Sequence, residues 1–353
     1  MKIDNYKIIV GNATDVGKIR QYNEDYMAHF DTSYGYCIIV CDGMGGHAAG
    51  DVASQAAIEA IKHYLQDGKV TKLDTANSLL NAIEFANFKL REMVLQNPAL
   101  SGMGTTCVIA LINNAEMYVA HAGDSRLYLI RNNEIRQISK DHSTVQNLID
   151  AGALTEEEAL QSDKRNQITK AIGIFEKVVP GITSEPIPLK HNDKIMLCSD
   201  GLTAHVNLKS LLELINTKED VQAIAMNLID KANLGGGTDN ITVQLIQYTG
   251  KSSSIRKSRR KRKFIRMAVG FLFFVALGFF LYLKTDIFRK TDSSKNGVNN
   301  TSVNQSSTPV NKPDSLVSHS TNQTKASHNK DKIDKAEKKT NIEVSKDSLG
   351  STK

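Results

Sequence analysis

Short apolar runs separated by turn residues recur along residues 1–250. Their length and their content of β-branched residues are typical of β-strands. The runs are YKIIVGNAT, YGYCIIVCD, TTCVIALI, AEMYVAHAG, SRLYLIR, KVVPGITSEPIPL, DKIMLCSD and DNITVQLIQY. A further strand is expected directly after the acidic pair in RQYNEDYM. We therefore predict a domain that is rich in β-structure.

Four stretches carry apolar residues at helical spacing. Two come early and close together, DVASQAAIEAIKHYLQ and TANSLLNAIEFANFKLREMVLQ, and two come late, LKSLLELI and VQAIAMNLIDKA. The strands are thus grouped between helix pairs, which predicts an α+β fold with largely antiparallel sheets. Residues 143–170 interrupt the strands with short helix-like pieces, and we interpret them as an inserted flap.

The segment RMAVGFLFFVALGFFLYL, residues 266–283, has a different character. With Phe264 and Ile265 it reaches about the 20 apolar residues that a helix needs to cross a bilayer. A buried core helix is the alternative, but the run is continuously apolar and its flanks are charged. We predict a transmembrane helix over 264–283.

The charges beside this predicted helix indicate its orientation. Eight basic residues lie between positions 256 and 266, and three follow the helix closely, Lys284, Arg289 and Lys290. The positive-inside rule then places residues 1–250 and a basic juxtamembrane linker, 251–263, in the cytoplasm. Residues 291–353 contain no aromatic residue. We expect residues 284–353 to form a disordered tail outside the membrane of a single-pass protein.

Charge and cysteine content narrow the function of the first 250 residues. They hold 22 Lys and Arg against 30 Asp and Glu, a formal charge of −8, whereas residues 251–353 carry +14. An acidic domain is not expected to bind nucleic acid. The four cysteines, Cys37, Cys41, Cys107 and Cys198, lie in or beside apolar runs and lack CxxC spacing. We interpret them as buried, reduced thiols.

Acidic residues recur beside glycine or at predicted strand ends. They are Glu24 and Asp25 in RQYNEDYM, Asp42 in VCDGMGG, Asp124 in AHAGDSR, Asp200 in LCSDG and Asp239 in GGGTDN. Each alone is typical of a turn or a cap. In two packed sheets, however, these ends can converge, and converging carboxylates repel unless a cation neutralises them. Oxygen ligands favour Mg²⁺ or Mn²⁺, and Gly43 would let the backbone carbonyl approach the ion.

The ordered motif set is similar to that of the metal-dependent protein phosphatases of type 2C, in a bacterial membrane-anchored form. The motifs are TDVGKIRQYNEDY, CDGMGGHAAG, GMGTTCV, AGDSRLY, KDHS, ITKAIG, LCSDGL and GGTDNITV, within residues 5–248. The resemblance implies an α-β-β-α sandwich, in which two antiparallel sheets are flanked by helix pairs.

The resemblance also implies roles for the acidic residues. Asp42 would bridge two Mg²⁺ or Mn²⁺ ions, with the Gly43 carbonyl on one of them. Asp200 and Asp239 would complete the shell of the first ion. The second ion would be held through Glu24 with support from Asp25, and a third ion, if present, through Asp124.

Other residues would act on the substrate or support the ligands. By resemblance, Arg20 would bind the phosphate, and His47 would be the general acid for the leaving oxygen. Asn240 and Thr105 would support the ligands. Arg165 in the flap is a further candidate for a substrate contact, although QSDKRNQ has Ser and Asp where many relatives have His-Pro.

These roles predict hydrolysis of phosphoserine and phosphothreonine in proteins by a metal-activated water. The enzyme would oppose a cognate Ser/Thr kinase at the inner face of the membrane. Two alternatives remain open: a catalytically weak phosphoprotein-binding module of the same fold, and a membrane sensor whose outer tail modulates the domain.

Overall fold

A computed structural model of the chain describes residues 1–46, 49–67 and 74–251. The strands are β1 (Lys2–Ile3), β2 (Ile8–Asp15), β3 (Asp25–Thr32), β4 (Gly35–Met44), β5 (Gly104–Thr105), β6 (Cys107–Asn113), β7 (Glu116–Ala122), β8 (Arg126–Arg131), β9 (Glu134–Gln137), β10 (Gly181–Ile182), β11 (Ile187–Pro188), β12 (Lys194–Cys198) and β13 (Ile241–Tyr248). The helices are α1 (Ala49–Gln66), α2 (Thr75–Gln96), α3 (Thr144–Asp150), α4 (Glu156–Leu160), α5 (Asp200–Thr203), α6 (Leu208–Ile215) and α7 (Val221–Leu234).

The strands form two sheets. The first has the order β1-β2-β13-β12-β8-β9, and the second has the order β10-β7-β6-β4-β3, with β11 beside β7 and β5 beside β4. All pairings between these strands are antiparallel. The predicted α+β fold with two antiparallel sheets is therefore confirmed.

Successive residues of the central strands face different layers, as the two-residue period of a strand requires. On β4, Ile39 and Cys41 pack in one core with residues of α1 and α2. Ile38 and Val40, between and beside them, pack in a second core with residues of the other sheet. A third core joins that other sheet to α5, α6 and α7. The order of layers is thus helices, sheet, sheet, helices.

The four long helices occur where their apolar spacing predicts them. Three of them begin at polar N-caps: Asp74 accepts from Asn77 N, Asn207 from Ser210 N, and Asp220 from Gln222 N and Ala223 N. Such caps satisfy backbone N–H groups that have no partner inside the helix. The caps therefore explain why α2, α6 and α7 begin where they do.

The run KVVPGITSEPIPL does not form the strand that we predicted. It contributes only the two-residue strands β10 and β11, which both pair with β7. Pro180, Pro186 and Pro188 interrupt it, and proline has no N–H to donate to a strand ladder. The predicted flap does contain two short helices, α3 and α4. Its ends meet where Ser143 and Ile168 form an antiparallel bridge.

The cysteine prediction is confirmed, since all four thiols are buried and free of disulfides. Residues 1–46, 49–67 and 74–251 contain no helix that is both long enough and apolar enough to cross a membrane. The predicted transmembrane helix, 264–283, and the predicted tail, 284–353, lie outside the residues that the structure describes. So does the predicted linker, 251–263, apart from its first residue.

One buried polar side chain joins the two sheets. Gln244 on β13 is fully buried. Its Nε2 donates to Ile39 O on β4 at 2.7 Å and to Ala28 O on β3 at 3.1 Å. The hydrogen bonds cross from one sheet to the other, in the middle of an otherwise apolar interface.

We expect Gln244→Leu to lower the free energy of unfolding by about 1–3 kcal/mol, because it removes buried hydrogen bonds from a packed interface. Gln247→Leu is the matched control, since Gln247 lies on the same strand and its side-chain hydrogen bond is exposed. It should change stability by less than about 0.5 kcal/mol. Urea unfolding of both variants measures the difference, and equal effects would contradict a specific role for the Gln244 amide.

Candidate active site

Carboxylates from the ends of strands in both sheets meet at one end of the sandwich. In the second sheet, Asp25 at the start of β3 is paired with Asp42 near the end of β4. In the first sheet, Asp200 begins α5 directly after β12, and Asp239 lies two residues before β13. β12 and β13 are neighbours. The turn between β7 and β8 adds Asp124.

The electrostatics of these groups show their proximity. Burial raises the pKa of Asp42 well above its usual range, and the charges of Asp25, Asp200, Asp124 and Asp239 raise it further. Burial raises the pKa of Asp25 and of Asp124 to about 7, and Asp200 adds to both effects. The pKa of Asp200 is itself raised by burial and by Asp239. Each carboxylate thus disfavours the charged form of its neighbours.

Two contacts relieve part of this repulsion. The side chain of Asp42 hydrogen-bonds to that of Asp200, which moderates the rise in the pKa of Asp200. Arg20 Nη2 donates to Asp239 Oδ2 at 2.9 Å. The structure therefore brings the predicted phosphate-binding arginine into direct contact with a predicted metal ligand.

Two threonines fix the backbone of Asp42. Its N–H donates to Thr106 Oγ1 at 3.0 Å, and its carbonyl accepts from Thr105 Oγ1 at 2.9 Å and from Thr106 N at 2.8 Å. Both threonines are buried. The strand end that carries Asp42 is thus held from the side of β5 and β6.

Gly43 allows a close approach between β4 and the first turn of α1. A Cβ at this position would lie 2.0 Å from Gly50 O and 2.6 Å from Glu24 O. The carboxylate of Glu24 accepts a hydrogen bond from the backbone of Gly50, and desolvation raises its pKa. Only glycine at position 43 therefore leaves room for Glu24 beside α1.

Asn240 ties together the loops that carry Arg20, Glu24 and Asp239. Its Oδ1 accepts from Glu24 N at 2.8 Å. Its Nδ2 donates to Val16 O and Tyr22 O, both at 2.9 Å. The loop that contains Arg20 is consequently anchored on both sides of the arginine by the residue that follows Asp239.

The chemistry of this cluster fits hard divalent cations. The donors are all oxygens, the carboxylates repel one another, and Asp25 Oδ1 is buried without a hydrogen-bond partner. Such groups become stable as anions when a cation neutralises them. Across the described ranges no group of three or more His, Cys, Asp or Glu side chains is arranged so that it could hold a metal ion as it stands. A cation would replace the Asp42–Asp200 and Arg20–Asp239 contacts.

Of the two remaining predicted site residues, the structure describes only Arg165. Arg165 lies in the turn that follows α4, with an exposed side chain, and its N–H donates to Ser162 O at 3.1 Å. His47 lies between β4 and α1, outside the residues that the structure describes.

Ser199 is a site residue that the sequence analysis missed. Its Oγ donates to Asp25 Oδ2 at 2.7 Å, and it accepts from Thr242 N at 3.0 Å. Position alone could have suggested it, because it precedes Asp200 in LCSDG. Its partner Asp25 lies 174 positions away, so the contact follows only from the packing of the two sheets.

The family model described as Protein phosphatase 2C matches residues 18–230 of this chain. The chain belongs to the protein phosphatase 2C family. The match covers Arg20 and five of the six acidic site residues, Glu24, Asp25, Asp42, Asp124 and Asp200. Asp239 lies just beyond its end.

Curated relatives of this phosphatase 2C chain include proteins of Listeria and Streptococcus. The serine/threonine phosphatase stp of Listeria monocytogenes is 37% identical over 242 residues, which are 66% of this chain and 93% of the relative. The protein phosphatase PhpP of Streptococcus pneumoniae is 38% identical over 239 residues, 66% of this chain and 94% of the relative.

Solved phosphatase structures share the fold. The serine/threonine phosphatase PstP/Ppp of Mycobacterium tuberculosis covers 69% of this chain and 99% of its own, with 36% identity and a TM-score of 0.63. The catalytic domain of PstP in complex with two manganese ions covers the same shares, with 35% identity and a TM-score of 0.61.

We expect Asp25→Asn to stabilise the phosphatase 2C domain in chelator at neutral pH. The folded-state pKa of Asp25, about 7, exceeds the ordinary value of 3.8. An acid with a raised pKa costs stability once the unfolded chain ionises, so the cost grows between about pH 4 and about pH 7 and then stays constant. Asparagine removes it.

Urea unfolding across this pH range measures the effect. The stability of the variant relative to the wild type should rise with pH. Asp230→Asn, at an exposed position on α7, is the control and should show no such trend. A difference between Asp25→Asn and wild type that does not change with pH would contradict the prediction.

Proposed function

We propose that this protein hydrolyses phosphoserine and phosphothreonine in proteins, as a serine/threonine phosphatase of type 2C. The observation that carries the proposal is the buried cluster of Asp42, Asp25, Asp200 and Asp124 beside the Arg20–Asp239 pair. Membership of the family supports it, as do the relatives that are named as protein phosphatases.

The cofactors in this proposal are Mg²⁺ or Mn²⁺. Asp42 and the carbonyl of Gly43, with Asp200 and Asp239, are the residues that would hold one ion. Glu24, supported by Asp25, would hold a second, and we extend the proposal to a third ion at Asp124. Two manganese ions in the PstP complex support the proposed pair. When bound, such ions neutralise phosphate oxygens and lower the pKa of a water molecule.

Arg20 is the proposed phosphate-binding residue. Its planar guanidinium matches two phosphate oxygens, and lysine would not replace it equally. Asn240 anchors the Arg20 loop at Val16 and Tyr22. The backbone around Arg20 is therefore constrained before phosphate binds, which limits the backbone entropy that is lost on binding.

Two further residues have proposed roles in the same reaction. His47 would donate a proton to the departing serine or threonine oxygen, because histidine titrates near neutral pH. Arg165 would contact the substrate from the flap. Thr105 and Asn240 would act indirectly, through the backbone of Asp42 and the loop that carries Arg20.

The proposed setting is the inner face of the cell membrane. The apolar segment 264–283 would span the bilayer once, with residues 1–250 in the cytoplasm and 284–353 outside. The cytoplasm contains the phosphoproteins and the kinases that such an enzyme would oppose, and we propose a cognate Ser/Thr kinase as its functional partner.

Full-length protein in detergent should release phosphate from a phosphothreonine peptide only when Mn²⁺ or Mg²⁺ is present. Asp42→Ala and Asp239→Ala should each lower kcat/KM by about 100-fold or more, because each removes a proposed ligand. Asp230→Ala, which changes the net charge equally at an exposed site on α7, should retain wild-type activity. Phosphate release under chelator, or near wild-type activity of both ligand variants, would contradict the proposed site.

The orientation is tested with protease added to intact spheroplasts of cells that express the chain with a tag at each end. The C-terminal tag should be lost and the N-terminal tag should survive, because only residues 284–353 would be exposed. Both tags should be lost after detergent lysis. Loss of the N-terminal tag alone in intact spheroplasts indicates the opposite orientation, and recovery of full-length chain in the soluble fraction excludes the span.

A further inference from the structure

His205 makes an unusual pair of contacts near the candidate active site. It follows α5, the short helix that begins with Asp200. Its Nε2 lies 2.8 Å from Thr238 Oγ1 and accepts the backbone N–H of Thr238 at 3.1 Å. A single ring nitrogen thus engages both the main chain and the side chain of one residue.

The segment that His205 contacts is rich in glycine. Gly236 and Gly237 have positive φ angles of 141° and 57°. Three successive glycines, at positions 235–237, offer many backbone conformations, so this loop needs external contacts to hold one of them. The Nε2 of His205 supplies one at Thr238, and its ring lies so close to Gly236 that a Cβ there would be 2.9 Å from His205 Cε1. The carbonyl of Gly237 also accepts from Lys18 N at 2.7 Å.

The loop leads directly into the candidate site. Thr238 is followed by Asp239, whose carboxylate accepts from Arg20 at 2.9 Å. Lys18, which contacts the loop, belongs to the same segment as Arg20. A shift of residues 235–238 would therefore displace a proposed metal ligand and the proposed phosphate-binding arginine together.

We propose that His205 is a positioning residue for the active site. Through the backbone N–H of Thr238, which its Nε2 accepts, and the neighbouring Thr238 hydroxyl, it holds the 235–238 loop so that Asp239 faces Asp200 and Arg20 faces the phosphate. This inference rests on the proposed phosphatase function. It adds a residue whose effect passes through Thr238 and not through contact with substrate or metal.

The test separates loss of the hydrogen-bond acceptor from loss of the side chain. His205→Ala removes the acceptor, whereas the amide oxygen of His205→Gln can accept from Thr238. We expect His205→Ala to weaken Mn²⁺ binding by about tenfold, which is a typical effect of losing a residue that orients a metal ligand without binding the metal itself. It should also raise KM more than it lowers kcat, because Arg20 moves with Asp239. His205→Gln should restore both quantities to within about threefold of wild type.

Mn²⁺ affinity is measured by isothermal titration calorimetry on the full-length protein, and KM and kcat on a phosphothreonine peptide. His191→Ala, at an exposed histidine whose Nδ1 contacts Thr249 O, is the control and should match wild type. Thr238→Val retains the backbone N–H but loses the hydroxyl. It should reproduce part of the His205→Ala effect, and the double variant should be no worse than His205→Ala alone.

Several outcomes would overturn the inference. One is unchanged Mn²⁺ affinity in His205→Ala with lowered thermal stability, which would make the role purely structural. Another is failure of His205→Gln to restore affinity. If His205→Ala does not fold, wild-type affinity in Thr238→Val decides against the inference, and weakened affinity supports it. A wild-type protein that binds Mn²⁺ but hydrolyses no phosphopeptide would contradict the proposed function alone, since the comparison of affinities still tests His205.

Discussion

Mutual repulsion among buried carboxylates is the constraint around which this domain is organised. Asp25 and Asp42 face each other on neighbouring strands, and Asp200 and Asp124 approach them from the other sheet and from a turn. Without the surrounding fold, repulsion would drive these carboxylates apart or into contact with water. Asp25 and Asp42 are held because they lie at the ends of strands whose register is fixed along their whole length. Asp200 and Asp124 follow closely after strands of the two sheets. The long strands and the two-sheet core therefore supply the mechanical support for an electrostatically unfavourable site.

Much of this arrangement could be predicted from the sequence, and the successes share a cause. Local sequence patterns, namely an apolar run with an adjacent glycine or the start of a strand, identify Asp42, Asp200 and Asp239. The helices α2 and α6 are identified by the local spacing of their apolar residues. The failures involve contacts between distant segments or backbone chemistry. Ser199 reaches Asp25 only because the sheets pack, and Gln244 is polar in a strand that pattern alone would make apolar. The run KVVPGITSEPIPL forms only two short strands instead of the predicted longer one, because its three prolines cannot donate to a strand ladder.

The Arg20–Asp239 contact joins the proposed phosphate-binding residue to a proposed metal ligand. One carboxylate oxygen of Asp239 is occupied by the guanidinium, and the other accepts from the backbone of Asn240 at 2.9 Å. Any cation that binds Asp239 must compete with these partners, and release of Arg20 would free it for phosphate. The exposed arginine pairs with a partly exposed acid, so the contact is weak and readily exchanged. Under the proposed roles of Asp239 and Arg20, binding of metal and binding of substrate would be coupled through this one contact.

The flap leaves the sandwich and returns to it at nearly the same point. Ser143 and Ile168 form an antiparallel bridge, and Thr144 N donates to Gln167 O at 2.8 Å. Because the base is closed by backbone hydrogen bonds, the length and sequence of the intervening residues can change at little entropic cost to the rest of the domain. A flap of different length could therefore be attached to the same closed base while the acidic centre and its supporting strands keep their positions.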